Sequence, residues 1–82
     1  MENITTLVSL APGEKATVVS LESTGSIRRR LLDIGLIKGT NIECIGKSPA
    51  GDPRAYLIRG AVIALRNNDC ENILVKKRGF EP

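Results

Sequence analysis

The chain has 82 residues, of which 12 are Lys or Arg and 9 are Asp or Glu, so its formal net charge is +3. It contains no histidine, 2% aromatic residues and two cysteines, Cys44 and Cys70. Acid–base catalysis and zinc or ferrous sites usually draw on histidine or on clustered ligands, so this composition argues against an enzyme, a resident metal and a cofactor.

The first predicted elements are a β-strand and a helix. Residues 15–21 (KATVVSL) are rich in β-branched residues, which favours a strand. At about residues 24–34, Ile27, Leu31 and Ile34 recur at the spacing of one inward helical face. A helix of this length is unstable alone in water, so we expect this face to pack on a sheet.

Glycine and proline divide the rest of the chain. Gly35 provides a left-handed stop for the helix. The segment from Ser48 to Pro53 is a loop, because its prolines cannot donate to a strand ladder. Arg59-Gly60 fits a tight hairpin, and residues 67–69 begin one short helical turn. Further strands are predicted at residues 40–47, 54–58, 61–65 and 72–75. About five short strands with one inserted helix indicate a mainly β fold, a small barrel.

We expect a single domain over residues 1–76 and a flexible tail over 77–82. No apolar run approaches the length that a bilayer requires. The first residues include an acidic side chain and no apolar segment, unlike a signal peptide. The sequence therefore favours a cytoplasmic protein, in which Cys44 and Cys70 are reduced, half-buried thiols.

Three consecutive arginines on the predicted helix form the strongest charged feature. Arg28 and Arg29 should face outward, whereas Arg30 should lie at the edge of the buried face. A solvated helix face is one interpretation, and an electrostatic contact with an acidic partner or anionic headgroups is the other. Nucleic acid is a weaker target, because Tyr56 is the only aromatic residue in the predicted folded part.

Apolar residues beside the turns are candidates for a docking surface. Val8, Leu36 and Ile37 flank predicted turns, and so small a core has limited room for all three. With Arg28 and Arg29, the residues Leu36 and Ile37 are therefore our candidate partner contacts.

The segment RLLDIGLIKGT, residues 30–40, resembles the FeoA family of small ferrous iron transport accessory proteins. The family pattern is Arg-Leu-x-x-φ-Gly-φ-x-x-Gly, in which φ is apolar, and a later Ala-Pro-x-Gly-Asp-Pro loop. Ser48 replaces the usual Ala of that loop, and Lys38 stands where Pro is frequent. The end of the likeness includes IALR at 63–66, followed by Ile73 and Val75. The matching motif residues are Arg30, Leu31, Gly35, Gly39, Pro49, Gly51, Asp52 and Pro53.

This resemblance implies an SH3-like barrel and a cytoplasmic accessory or regulatory module for ferrous iron uptake. The implied partner is the FeoB transporter, a membrane protein with a cytosolic G-protein domain. Gly35 and Gly39 would shape the helix exit, and Pro49, Gly51 and Pro53 the loop. No catalytic, cofactor or metal residue carries over.

Other hypotheses remain open at this point. They are a nucleic-acid-binding small barrel, an SH3-like interaction domain of the kind found in iron-dependent repressors, and a direct metal carrier. A further variant is an activator of nucleotide hydrolysis in which Arg29 acts on the partner's phosphate groups.

Overall fold

A computed structural model describes residues 4–78. These residues form six β-strands, two helices and one 3-10 turn. The elements are β1 (Ile4–Thr6), the 3-10 turn (Leu7–Ser9), β2 (Lys15–Leu21), α1 (Gly25–Ile34), β3 (Asn41–Lys47), β4 (Arg54–Ile58), β5 (Ala61–Leu65), α2 (Asn67–Cys70) and β6 (Ile73–Lys77).

All six strands belong to one antiparallel sheet, in the order β1-β6-β2-β3-β4-β5. The long strand β2 joins its two halves, since it pairs with β6 on one side and with β3 on the other. The register shifts between Val18 and Ser20 and between Cys44 and Gly46. Such bulges bend a strand and increase its twist, and here they let a short sheet curve around one core.

Among residues 4–78, the core is aliphatic apart from one aromatic ring, that of Tyr56. Tyr56 is fully buried, and both cysteines are free and fully buried rather than half-buried as we expect from the sequence. The buried apolar residues are Leu7, Leu10, Ala16, Val18, Leu31, Leu36, Ile42, Cys44, Tyr56, Ile58, Leu65, Cys70, Ile73 and Val75.

Most predicted elements agree with the structure. The strands at 15–21, 54–58 and 61–65 have the predicted bounds, and α1 and α2 lie where the sequence indicates. Strand β1 has no sequence signal, because three residues without apolar alternation become a strand only by pairing with β6. Strand β6 continues through Lys77, so the predicted tail begins too early. Arg78 still donates its N–H to the Lys15 carbonyl, and the last tail residues, 79–82, lie outside the described part of the chain.

One prediction about the helix is wrong. Leu31 is buried and Ile34 packs against the core, but Ile27 is 40% exposed. Only the second half of α1 reaches the core of so small a barrel, so the first turn of the apolar face stays at the surface. Within residues 4–78, no helix is long and apolar enough to cross a membrane.

Candidate functional site

The exposed face of α1 combines cationic and apolar side chains. Arg28, Arg29 and Leu32 are all exposed, and Gly25 and Asp33 complete a shallow depression of about 390 Å³. Because Leu32 follows Arg28 by four residues and Arg29 by three, the three side chains lie together on one helical face. We call this the helix surface.

The two candidate arginines of the helix surface differ in their freedom. The Arg28 guanidinium donates a hydrogen bond of 2.7 Å to the carbonyl oxygen of Leu21, at the end of β2. This contact ties the first turn of α1 to the sheet and holds the Arg28 side chain. The Arg29 side chain makes no hydrogen bond or ion pair within residues 4–78, so it can reorient towards a partner.

Arg30 has a structural contact, as its predicted position at the edge of the buried face suggests. Its guanidinium lies 3.5 Å from the Asp69 carboxylate, which connects α1 to α2. The Arg30 side chain is largely exposed, so solvent weakens this ion pair. Arg30 therefore orients the helix rather than offering a free charge.

The structure contradicts the candidate role of Leu36 as a partner contact. The Gly35 backbone is left-handed, with φ of 104°, and its N–H donates to the carbonyl oxygen of Leu32. The next N–H, of Leu36, reaches back to the Leu31 carbonyl at 3.0 Å. This is the Schellman arrangement, in which the residue after the glycine folds back on the helix. Leu36 is thereby 0% exposed and belongs to the core.

Ile37 keeps the predicted exposure, at 46%, but it does not line the depression on α1. Val8 is half-buried and packs against the core. The exposed apolar residues that accompany the arginines on α1 are instead Ile27 and Leu32. Neither residue is among the contacts predicted from the sequence. The position of Leu32 outside the predicted inward face is the sequence signal that identifies it as exposed.

The turn between α1 and β3 is held by Thr40, which the sequence pattern does not single out. The Thr40 hydroxyl donates to the Gly35 carbonyl at 3.0 Å and accepts from the Ile37 N–H at 3.3 Å. The Gly39 N–H donates to the carbonyl oxygen of Val18 in β2, and the Gly39 backbone has a φ of 93°. These contacts support a structural role for both family glycines.

The loop between β3 and β4 contains the second family motif and also makes structural contacts. The Ser48 hydroxyl donates to the Asp52 carbonyl at 2.8 Å and accepts the Asp52 N–H at 3.1 Å. The Asp52 carboxylate accepts the Asn67 N–H at the start of α2, and the Asn67 amide donates to the Gly51 carbonyl. Pro49 and Pro53 bound this loop, and Gly51 has φ of 85°.

No group of three or more His, Cys, Asp or Glu residues that could hold a metal ion occurs within residues 4–78. Burial raises the pKa of the Cys70 thiol to about 12, and the nearby Asp69 carboxylate acts in the same direction. Burial also raises the pKa of the Tyr56 hydroxyl. Neither group is ionised near neutral pH, so neither offers a nucleophile there.

Solved structures share this architecture. A FeoA-like protein of Clostridium acetobutylicum is 30% identical, with a TM-score of 0.89 over 100% of this chain and 95% of that chain. A zinc complex of FeoA from Stenotrophomonas maltophilia, described as a prokaryotic SH3 domain protein, is 28% identical with a TM-score of 0.76. That match covers 85% of this chain and 87% of the other. The fold and these structural likenesses define a small SH3-like barrel domain.

The sequence comparisons then identify the family. A sequence model described as the FeoA domain matches residues 5–77, and the chain belongs to the FeoA family. A curated relative from Porphyromonas gingivalis is 33% identical over 70 residues and is named Fe(2+) transport protein A/Fe(2+) transporter FeoB fusion protein. The match covers 85% of this chain but only 8% of that much longer relative.

Proposed function

We propose that this chain is a non-enzymatic module for ferrous iron uptake that acts in the cytoplasm by binding the cytosolic part of an FeoB-type transporter. The observation that supports it most is the P. gingivalis relative, in which a region similar to this chain is fused to FeoB. Fusion holds two parts at a high effective concentration. A separate chain of the same family would obtain that proximity by binding.

The helix surface is the contact that we propose. Leu32 exposes apolar area next to Arg28 and Arg29, a mixture that suits an acidic partner surface with apolar residues at its centre. Exposed charges of this kind act mainly on association rate and on salt dependence. Nucleic acid is a poorer fit, because Tyr56, the only aromatic residue within 4–78, is fully buried and cannot stack on a base.

Binding to full-length FeoB-type transporter, reconstituted in lipid nanodiscs, tests this proposal. We expect saturable binding at micromolar concentration, and no binding to empty nanodiscs. Arg28→Glu with Arg29→Glu should weaken binding about tenfold and flatten its salt dependence. The matched control is Lys47→Glu with Arg66→Glu, which reverses two exposed cations outside the helix surface.

The outcomes separate the function from its surface. Absence of binding to the reconstituted transporter contradicts the proposed function. Equal weakening by the two double variants contradicts the helix surface as the contact and leaves the function in place. The transporter's GTP hydrolysis rate, with and without the chain, shows whether the contact also affects its G-protein domain.

A further inference from the structure

A groove of about 490 Å³ lies on the outer face of the sheet, away from the residues of the helix surface. Strands β2, β3 and β4 form its floor, and the turns at Gly39 and Gly60 border it. The side chains that matter for its chemistry are those of Lys15, Glu43, Leu57, Arg59 and Arg78.

The strand register shows how these side chains are arranged. Lys15 is paired with Glu43, and Glu43 is paired with Leu57 on the next strand. The Arg78 N–H donates to the Lys15 carbonyl, which extends this row by one more strand. Residues directly opposite each other share a face, so the four side chains form one row across the outer surface. The row is cationic at one end and apolar at the other.

Arg59 provides a second cationic end. It follows β4 in the hairpin turn, and its Nε donates to the Gly35 carbonyl at 3.2 Å. That bond uses one of the five N–H donors of a guanidinium, and the others remain available. Leu57 lies two strands across the sheet from Lys15, and Arg59 follows Leu57 by two residues. These two offsets place the backbones of Lys15 and Arg59 roughly 12 Å apart.

Within residues 4–78, the positive charge of the groove is only partly balanced. Among residues 4–78, Lys15, Arg59 and Arg78 form no ion pair. Of the described residues that line the groove, only Glu43 is acidic, so three cations face one anion there. Because cations cluster at separated points around an apolar residue, the groove suits a ligand with two separated negative charges and an apolar part between them.

We propose that this groove binds an extended acidic segment of the partner protein, a second contact that rests on the proposed function. The segment carries two carboxylates about four residues apart, since four residues of extended chain span roughly 13 Å. One carboxylate meets Lys15 and Arg78, and the other meets Arg59. An uncharged apolar residue between them packs on Leu57. Glu43 disfavours a third carboxylate at the centre.

The test uses a blocked peptide, acetyl-Glu-Thr-Val-Thr-Glu-amide, titrated into the isotopically labelled full chain and followed by NMR. We expect saturable shifts at the groove residues, and about tenfold weaker affinity when both peptide Glu residues are Gln. Lys15→Glu and Arg78→Glu should each weaken binding about fivefold, whereas Glu43→Gln should strengthen it about twofold. Lys47→Glu with Arg66→Glu is the control that should leave the affinity unchanged.

Three results would overturn the groove proposal: NMR shifts at residues outside the groove, equal affinity of the chain for the Glu and Gln peptides, or weaker peptide binding by the Glu43→Gln variant than by the parent chain. Tighter binding of a single-stranded oligonucleotide at the same residues would also overturn it. The groove and the proposed function fail separately. A chain that binds the reconstituted transporter but not the peptide loses only the groove, and one that binds the peptide but not the transporter loses the proposed function.

Discussion

The Arg59 side chain lies directly over Gly35, the capping residue immediately after α1. Its Nε donates to the Gly35 carbonyl, and a Cβ built on Gly35 would stand 2.8 Å from that same nitrogen. Two turns distant in sequence, the helix exit and the β4–β5 hairpin, are therefore in contact through one hydrogen bond. The absence of a side chain at residue 35 is what permits this approach.

Replacing Gly35 should therefore cost more than replacing a glycine in open space. Gly35→Ala places a side chain in the left-handed region, at about 1–2 kcal/mol, and displaces Arg59 from its hydrogen bond, at about 1 kcal/mol more. Gly39→Ala, with φ of 93° and no atom within 4 Å of a built Cβ, should incur only the first cost. Urea unfolding measures both.

An Arg59→Ala background separates the two contributions. In that background, Gly35→Ala should cost about as much as Gly39→Ala, because the displaced side chain is gone. If Gly35→Ala costs the same with and without Arg59, the contact between the two residues does not contribute to stability.

The second prediction contrasts neighbouring apolar residues after the helix. Leu36→Ala removes a fully buried side chain and should lower the free energy of unfolding by about 2–5 kcal/mol. Ile37→Ala, at a largely exposed position, should change it by less than about 0.5 kcal/mol. Thermal or urea unfolding of both variants provides the measurement, and similar losses for the two would contradict the burial of Leu36.

The third prediction concerns the Asp52 carboxylate, which accepts the Asn67 N–H at 3.0 Å. Asp52→Ala leaves a backbone donor at the start of α2 without that acceptor and should destabilise the domain by about 1 kcal/mol. Asp33→Ala removes an exposed carboxylate that has no partner within residues 4–78, and should stay within about 0.5 kcal/mol of the parent. Equal effects would contradict a specific role for Asp52.

The fourth prediction is the chemical inertness of Cys70. The thiol is fully buried and its pKa is raised to about 12, so thiolate is scarce and inaccessible in the folded chain. A thiol reagent near neutral pH should modify Cys70 only at the rate of unfolding, and quickly in denaturant. Fast modification of the folded chain, located by peptide mass mapping, would contradict this.

The same pKa shift has a consequence for stability at alkaline pH. Because the folded state holds the Cys70 proton more tightly, its contribution is fully present below the ordinary thiol pKa of 9.0 and is lost as the pH rises to about 12. The free energy of unfolding should therefore fall more steeply over this window in the parent chain than in Cys70→Ala. Parallel curves would contradict the shift.

Several features followed from short stretches of sequence. The stop at Gly35 and the Arg59-Gly60 hairpin depend on positive φ angles, which are 104° for Gly35 and 50° and 84° for the pair. Strand β3 lies close to its predicted bounds and alternates as a half-buried strand does, with Ile42 and Cys44 buried and Ile45 exposed. These features are local, because each depends on backbone preferences or on side-chain alternation within one element.

Other features required the folded chain. Ile27 and Leu31 share one helical face, yet only Leu31 is buried, because the extent of the core and not the helix determines where that face ends. The position of Leu36 beside a turn predicts an exposed side chain. In the folded chain its N–H donates to the Leu31 carbonyl, and this turn places the Leu36 side chain in the core. The groove is also invisible in sequence, since Lys15, Leu57 and Arg78 come from three separate strands or strand ends.

The family motifs, the positions of most strands along the chain and the scarcity of catalytic and metal-binding side chains are all readable from the sequence. Tertiary structure alone decided which apolar and cationic residues remain at the surface. The reason is physical: backbone preference and side-chain chemistry are properties of a residue and its neighbours along the chain. Exposure instead depends on which distant strands pair in a given register, and on how far a small core extends beneath α1.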